Sequence, residues 1–152
     1  YPRGNGPGVT PKDKPVLLEI GKAELVAEGS DVALVGLGAM FEIAEQAKLE
    51  LEKHGLSVAL INPRWIKPLD AQTLETQARK VKVVCTLEDH VLMNGFGCGV
   101  MELLASAGVA TPVVRIGWPD EFIEHGNVPV LRSNHGLTVE NTVATVLKAL
   151  GR

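Results

Sequence analysis

A chain of 152 residues with 45% hydrophobic and 22% charged side chains fits one ordinary globular domain. At that length roughly 70% of the unfolded chain's surface is buried on folding, so neither a disulfide nor a metal is needed for stability. The net charge of −3 gives no electrostatic reason to bind nucleic acid or an acidic membrane. Apolar runs also fall well short of the ~18–20 residues that cross a bilayer.

Residues 1–16 are rich in Pro and Gly and read as a linker. With no initiator Met and no charged-then-apolar leader, they create the expectation of a piece of a longer protein without a secretory signal. From Leu18 to Val26 the sequence half-alternates, as an edge strand bent around Gly21 would. Val32 to Val35 is a continuous apolar run of buried-strand type. After the Gly36-Leu37-Gly38 turn, Met40, Ile43, Ala44, Ala47 and Leu51 mark one face of a helix that Gly55 closes.

Ser57 to Ile61 predicts the next strand. Asp70 then stands as an N-cap, with Leu69 and Leu74 spaced for a hydrophobic staple, and the helix runs to about Lys80. Val81 to Leu87 predicts a third strand in the run. Val100, Leu103, Leu104 and Ala107 mark a helix ended by Gly108. Pro112 to Ile116 gives a short strand, and Thr138 caps a last helix that buries Val139, Val143, Val146, Leu147 and Leu150. Strands alternating with helices imply right-handed crossovers and a mostly parallel sheet. The expected fold is a three-layer αβα domain.

Candidate chemistry is sparse. Gly36-Leu37-Gly38 lacks the third glycine of a dinucleotide fingerprint, because position 41 is Phe. It reads as a tight turn that lets helix and sheet pack closely, or as an exposed helix N-terminus that holds an anion. Gly95-Phe96-Gly97-Cys98-Gly99 lacks the Lys-Ser/Thr ending of a phosphate-binding loop and reads as a flexible packing loop. Cys85 sits in an apolar run as a small core residue, while Cys98 lies in the glycine loop with no base at informative spacing. Two cysteines without a pairing pattern favour a reducing cytoplasm.

His54, His90, His125 and His135 show no metal spacing, so zinc is not expected. Glu88-Asp89-His90 falls at a strand end, the side where open α/β sheets place ligands. A solvated turn or a subunit contact explains three polar residues there equally simply. Arg3, flanked by Pro and Gly, has a guanidinium fork suited to bidentate phosphate binding.

Several segments together resemble a known family. Tyr1-Pro2-Arg3-Gly4-Asn5-Gly6 is similar to the motif that closes the pyrimidine-binding domain of 1-deoxy-D-xylulose-5-phosphate synthases. Leu18 to Ala23 and Asp31 to Leu34 resemble their next two strands, and Arg64-Trp65-Ile66-Lys67-Pro68-Leu69-Asp70 their basic-aromatic-x-Lys-Pro-Leu-Asp turn. Glu88-Asp89-His90, Gly95-Phe96-Gly97 and the run from Pro119 to Gly126 follow in the same order. Where that family often has Glu-Glu-Gly or Glu-Glu-Asn, this chain has Glu88-Asp89-His90.

The resemblance implies a transketolase-like C-terminal domain over residues 17–152, entered by a linker over residues 1–16. It implies a homodimeric cytoplasmic enzyme that condenses pyruvate with D-glyceraldehyde 3-phosphate and releases carbon dioxide. The product, 1-deoxy-D-xylulose 5-phosphate, serves isoprenoid, thiamine and pyridoxal synthesis. Thiamine diphosphate and Mg²⁺ would bind upstream domains, with no catalytic, cofactor or metal residue in this segment. Arg3 would hold the aldehyde's phosphate. A rival with the same architecture is the C-terminal domain of a 2-oxoacid dehydrogenase beta subunit docking an acyltransferase core, since Lys-Pro-Leu-Asp and the glycine loop occur there too. A third reading is a free nucleotide- or anion-binding protein, supported only by Gly36 and Gly38.

Overall fold

Apolar strands that do not alternate need cover on both faces. The computed structural model, which describes Lys14 and residues 16–152, supplies it. In chain order come β1 (Glu24–Ala27), β2 (Val32–Gly36), α1 (Met40–Lys53), β3 (Val58–Asn62) and α2 (Ala71–Ala78). They are followed by β4 (Val83–Val91), α3 (Phe96–Ser106), β5 (Val113–Trp118), α4 (Val128–Asn134) and α5 (Val139–Ala149). The strands form one sheet in the order β1-β3-β2-β4-β5. All neighbours are parallel except β1, which runs antiparallel to β3.

Register sorts the core into two halves, because successive side chains on a strand point to opposite faces. Leu34 lies between Leu60 and Cys85, and Ala33 between Ala59 and Val84. On one face Leu34, Leu60, Cys85 and Leu87 pack with Met40, Ala44 and Leu51 of α1 and Val146 of α5. On the other, Ala33, Val35, Ile61 and Val84 pack with Leu74 of α2 and with Phe96, Val100 and Leu104 of α3. The fold is the three-layer αβα domain with a mostly parallel sheet that the sequence implies.

The caps stand where the sequence puts them. Asp70 accepts hydrogen bonds from the Thr73 amide at 3.1 Å and the Thr73 hydroxyl at 2.8 Å. Thr138 accepts from the Asn141 amide at 3.2 Å. Gly36 allows close approach: a Cβ there would sit 2.7 Å from the Phe41 Cα and 2.9 Å from the Ala44 Cβ. Helix α1 therefore lies directly on the end of β2.

Four expectations change. The edge strand is only the four residues of β1, with its register to β3 broken between Leu25 and Ala27. The stretch before it turns, with Lys22 N–H donating to the Glu19 carbonyl and Gly21 at φ 74° against Pro68, so its alternation never meets a partner strand. Strand β4 runs on through Glu88-Asp89-His90 to Val91. The Gly95–Gly99 cluster is not a flexible loop but the start of α3. Helix α4 has no counterpart in the sequence reading, because it is only seven residues long and none of them is buried.

Two outcomes follow from these contacts. Gly36→Ala should cost about 1–3 kcal/mol through overpacking and lower the thermal midpoint by about 2–12 °C. Gly38→Ala, at φ 56° with open space around it, should show only backbone strain of about 1 kcal/mol. Equal, negligible shifts in both would contradict the close helix–sheet approach.

Burial pushes the Asp70 carboxyl up, but hydrogen bonds from the Thr73 and Ala23 amides and the Thr73 hydroxyl outweigh it and hold the group below its ordinary 3.8. A depressed folded value means that its contribution is complete above the ordinary value and is lost as pH falls below it. Asp70→Ala should thus destabilise the domain at pH 7 by an amount typical of a lost N-cap, about 0.5–2 kcal/mol. Melting curves at decreasing pH should show the gap to wild type closing below about pH 4.

Candidate functional site

Strand β2 has β3 on one side and β4 on the other, so the chain reverses its direction of travel across the sheet there. Such a reversal leaves a crevice beyond the C-terminal strand ends, where open α/β sheets place ligands. Here it is a cleft of about 1010 Å³. Leu37, Leu69, Phe96 and Leu103 give it apolar walls, and Lys67 and Glu102 add charge. Gly38, Gly95 and Gly99 keep it open.

Glu88, Asp89 and His90 line this cleft, but they do three different things. Glu88 is fully buried. Its Oε2 accepts from the Phe96 amide at 2.6 Å and its Oε1 from the Gly97 amide at 2.9 Å, both at the first turn of α3. Asp89 accepts from the Trp118 indole N–H at 2.7 Å through Oδ1 and pairs with Arg132 of α4 through Oδ2. His90 is exposed, with its ring Nδ1 3.0 Å from the neighbouring Val91 carbonyl.

The glycine cluster is shaped around these groups. A Cβ on Gly95 would fall on the Glu88 carboxylate, and one on Gly97 would sit 2.5 Å from the Thr86 Oγ1. On the far side, Arg115 Nη1 donates at 2.8 Å to both the Leu92 carbonyl and the Cys98 sulfur. Cys98 in turn donates to the Leu92 carbonyl at 3.1 Å. Cys85 is buried beneath the sheet face, where burial pushes its thiol up to about 12, so it remains protonated and inert. Both cysteines are free.

A protein-family model described as "Transketolase, C-terminal domain" matches residues 21–142. The chain belongs to that family. It is 51% identical over 150 residues to the 1-deoxy-D-xylulose-5-phosphate synthase of Methylacidiphilum infernorum, covering 99% of this chain and 24% of that protein. The synthase of Acidobacterium capsulatum is also 51% identical, over 152 residues and with 24% of its length covered. The chain thus spans about a quarter of the curated relatives it matches. Among solved structures, one described as "Split gene transketolase, inactive beta4 tetramer" superposes with a TM-score of 0.83 at 34% identity. That match covers 90% of this chain and 44% of the other.

Within this transketolase C-terminal domain, the segment from Arg64 to Asp70 clasps the chain's entry to the sheet. Arg64, at φ 57°, pairs with Glu24 of β1 at 2.7 Å. Asp70 accepts from the Ala23 amide at 3.0 Å while capping α2. The turn is a structural clamp as well as a sequence signature.

The same carboxylates bear on Mg²⁺ and thiamine diphosphate. Glu88 and Asp89 have both oxygens engaged, and no three His, Cys, Asp or Glu side chains gather as a metal site among the described residues. These residues do not fit a metal–diphosphate site. Nor does any helix among the described residues have the length and apolarity to cross a membrane. Arg3, the one substrate contact that the sequence suggests, lies outside the described residues.

Sequence reading located the Glu88–His90 strand end but not the division of labour in it. The available signal was parity: Val84, Thr86 and Glu88 share the strand face that α3 covers. Asp89→Ala should free Trp118 and Arg132 together. The partly exposed pair is worth about 0.2–1 kcal/mol, so global stability should change little. The Trp118 emission should shift and the segment from 119 to 135 should become more sensitive to protease. An unaltered spectrum and digestion pattern would show that α4 is held by something else.

Proposed function

We propose that this chain is the C-terminal part of a 1-deoxy-D-xylulose-5-phosphate synthase. The observation that carries the reading is the near end-to-end likeness, at 51% identity, to curated relatives bearing that name. The whole protein would condense pyruvate with D-glyceraldehyde 3-phosphate, with loss of carbon dioxide, in the cytoplasm. Thiamine diphosphate supplies the electron sink that decarboxylation of a 2-oxo acid requires. We assign it and Mg²⁺ to upstream domains, because the Glu88 and Asp89 carboxylates at the strand end are already engaged.

In this reading residues 1–16 lead from the pyrimidine-binding domain, and residues 17–152 are scaffold and dimer wall. The exposed apolar side chains of Phe122, Val128 and Val130, which lie within nine residues of sequence, support the second role, since exposed apolar surface is suited to a protein contact. Arg3 would grip the aldehyde's phosphate through paired N–H groups.

In the intact enzyme, Arg3→Ala should raise KM for D-glyceraldehyde 3-phosphate and leave KM for pyruvate nearly unchanged. A loss of about 2–4 kcal/mol, or about 30- to 700-fold in kcat/KM, suits a charge-assisted phosphate contact. An unchanged KM for the aldehyde would remove Arg3 from the site. Failure of the intact wild-type protein to make 1-deoxy-D-xylulose 5-phosphate would remove the reading itself.

A further inference from the structure

The first four N–H groups of an α-helix have no partner within the helix, and together with the helix dipole they attract an anion. At α3 the residue in the N-cap position is Gly95, which offers no side chain to satisfy them. The group that does so comes from the sheet. Glu88 Oε2 and Oε1 accept from consecutive amides, Phe96 at 2.6 Å and Gly97 at 2.9 Å, and its side chain is fully buried. Among the described residues no Lys or Arg pairs with it. Two oxygens on two adjacent N–H groups is the geometry of a bound carboxylate or phosphate.

The surroundings are cut to fit. A Cβ on Gly95 would occupy the place of Glu88 Oε2, and a Cβ on Gly117 would lie 3.1 Å from Glu88 Cγ. This carboxylate also forms part of the lining of the switch-point cleft. The ligand-facing helix end of the cleft therefore already holds a carboxyl group of its own.

We propose that the N-terminus of α3 is an anion-binding site that the protein keeps filled with its own Glu88 carboxylate, closing that helix end to phosphate and carboxylate ligands. Removing the side chain leaves two aligned donors and a carboxylate-sized space. Small carboxylates such as formate fit that space.

The test compares thermal midpoints of wild type and Glu88→Ala in sodium formate and in sodium chloride of equal ionic strength. Wild type should show no formate-specific change, whereas Glu88→Ala should be destabilised and recover by roughly 3 °C or more in a saturable way. In the variant the Phe96 and Gly97 amide resonances should move with added formate. No recovery and no resonance shift in a folded Glu88→Ala, or an equal formate effect in wild type, overturns the proposal.

Should Glu88→Ala fail to fold, the near-isosteric Glu88→Gln carries the test. Its amide offers one acceptor and one donor, so one of the two helix N–H groups loses its partner. The Phe96 or Gly97 amide should then exchange at least about tenfold faster than in wild type. Unchanged exchange at both positions overturns the proposal as well.

Discussion

The contact between the Glu88 carboxylate and the Phe96 and Gly97 amides fixes much of what surrounds it. A buried carboxylate without partners costs several kcal/mol. Here two backbone donors and the positive end of α3 offset that cost without any cation. Because the donors belong to a helix and the acceptor to a strand, one interaction sets where α3 begins relative to β4. Arg115 holds the intervening loop from β5 by donating to the Leu92 carbonyl. Hydrogen bonds thus anchor this part of the cleft wall on both sides, beside its apolar packing.

Strand geometry explains why adjacent residues serve different layers. Glu88 points to the face that α3 covers. Asp89, one residue on, points the other way and meets Trp118 and Arg132. His90 returns toward the rim and remains in solvent. Two carboxylates adjacent at a strand end in the sequence are thus two separate anchors. That arrangement suits a supporting domain, and the chain's quarter share of its curated relatives is consistent with such a part.

The fold was legible because its signals are local. The apolar runs of β2 and β3, the helical spacing from Met40 to Leu51, and the caps at Asp70 and Thr138 each state their structure within a few residues. Helix α4 was not legible, since it buries no residue and is tied down through Arg132 to a residue 43 positions away. The role of the glycine cluster was hidden for a similar reason. Gly95 and Gly97 are required by Glu88 and Thr86, which lie 7 to 11 positions earlier, and no local pattern announces a close approach to a different element. Arg3 rests on family resemblance alone, since no described contact bears on it.

Strand β1 deserves a last consideration, for it is one of the two sheet margins. Among the described residues its outer side meets no strand; it is only four residues long, its ladder to β3 is broken in register, and the Glu24–Arg64 ion pair stands at its start. An approaching foreign strand would find no continuous ladder of amides and carbonyls to copy, and charge at its start. A short, irregular margin of this kind disfavours the addition of a further strand.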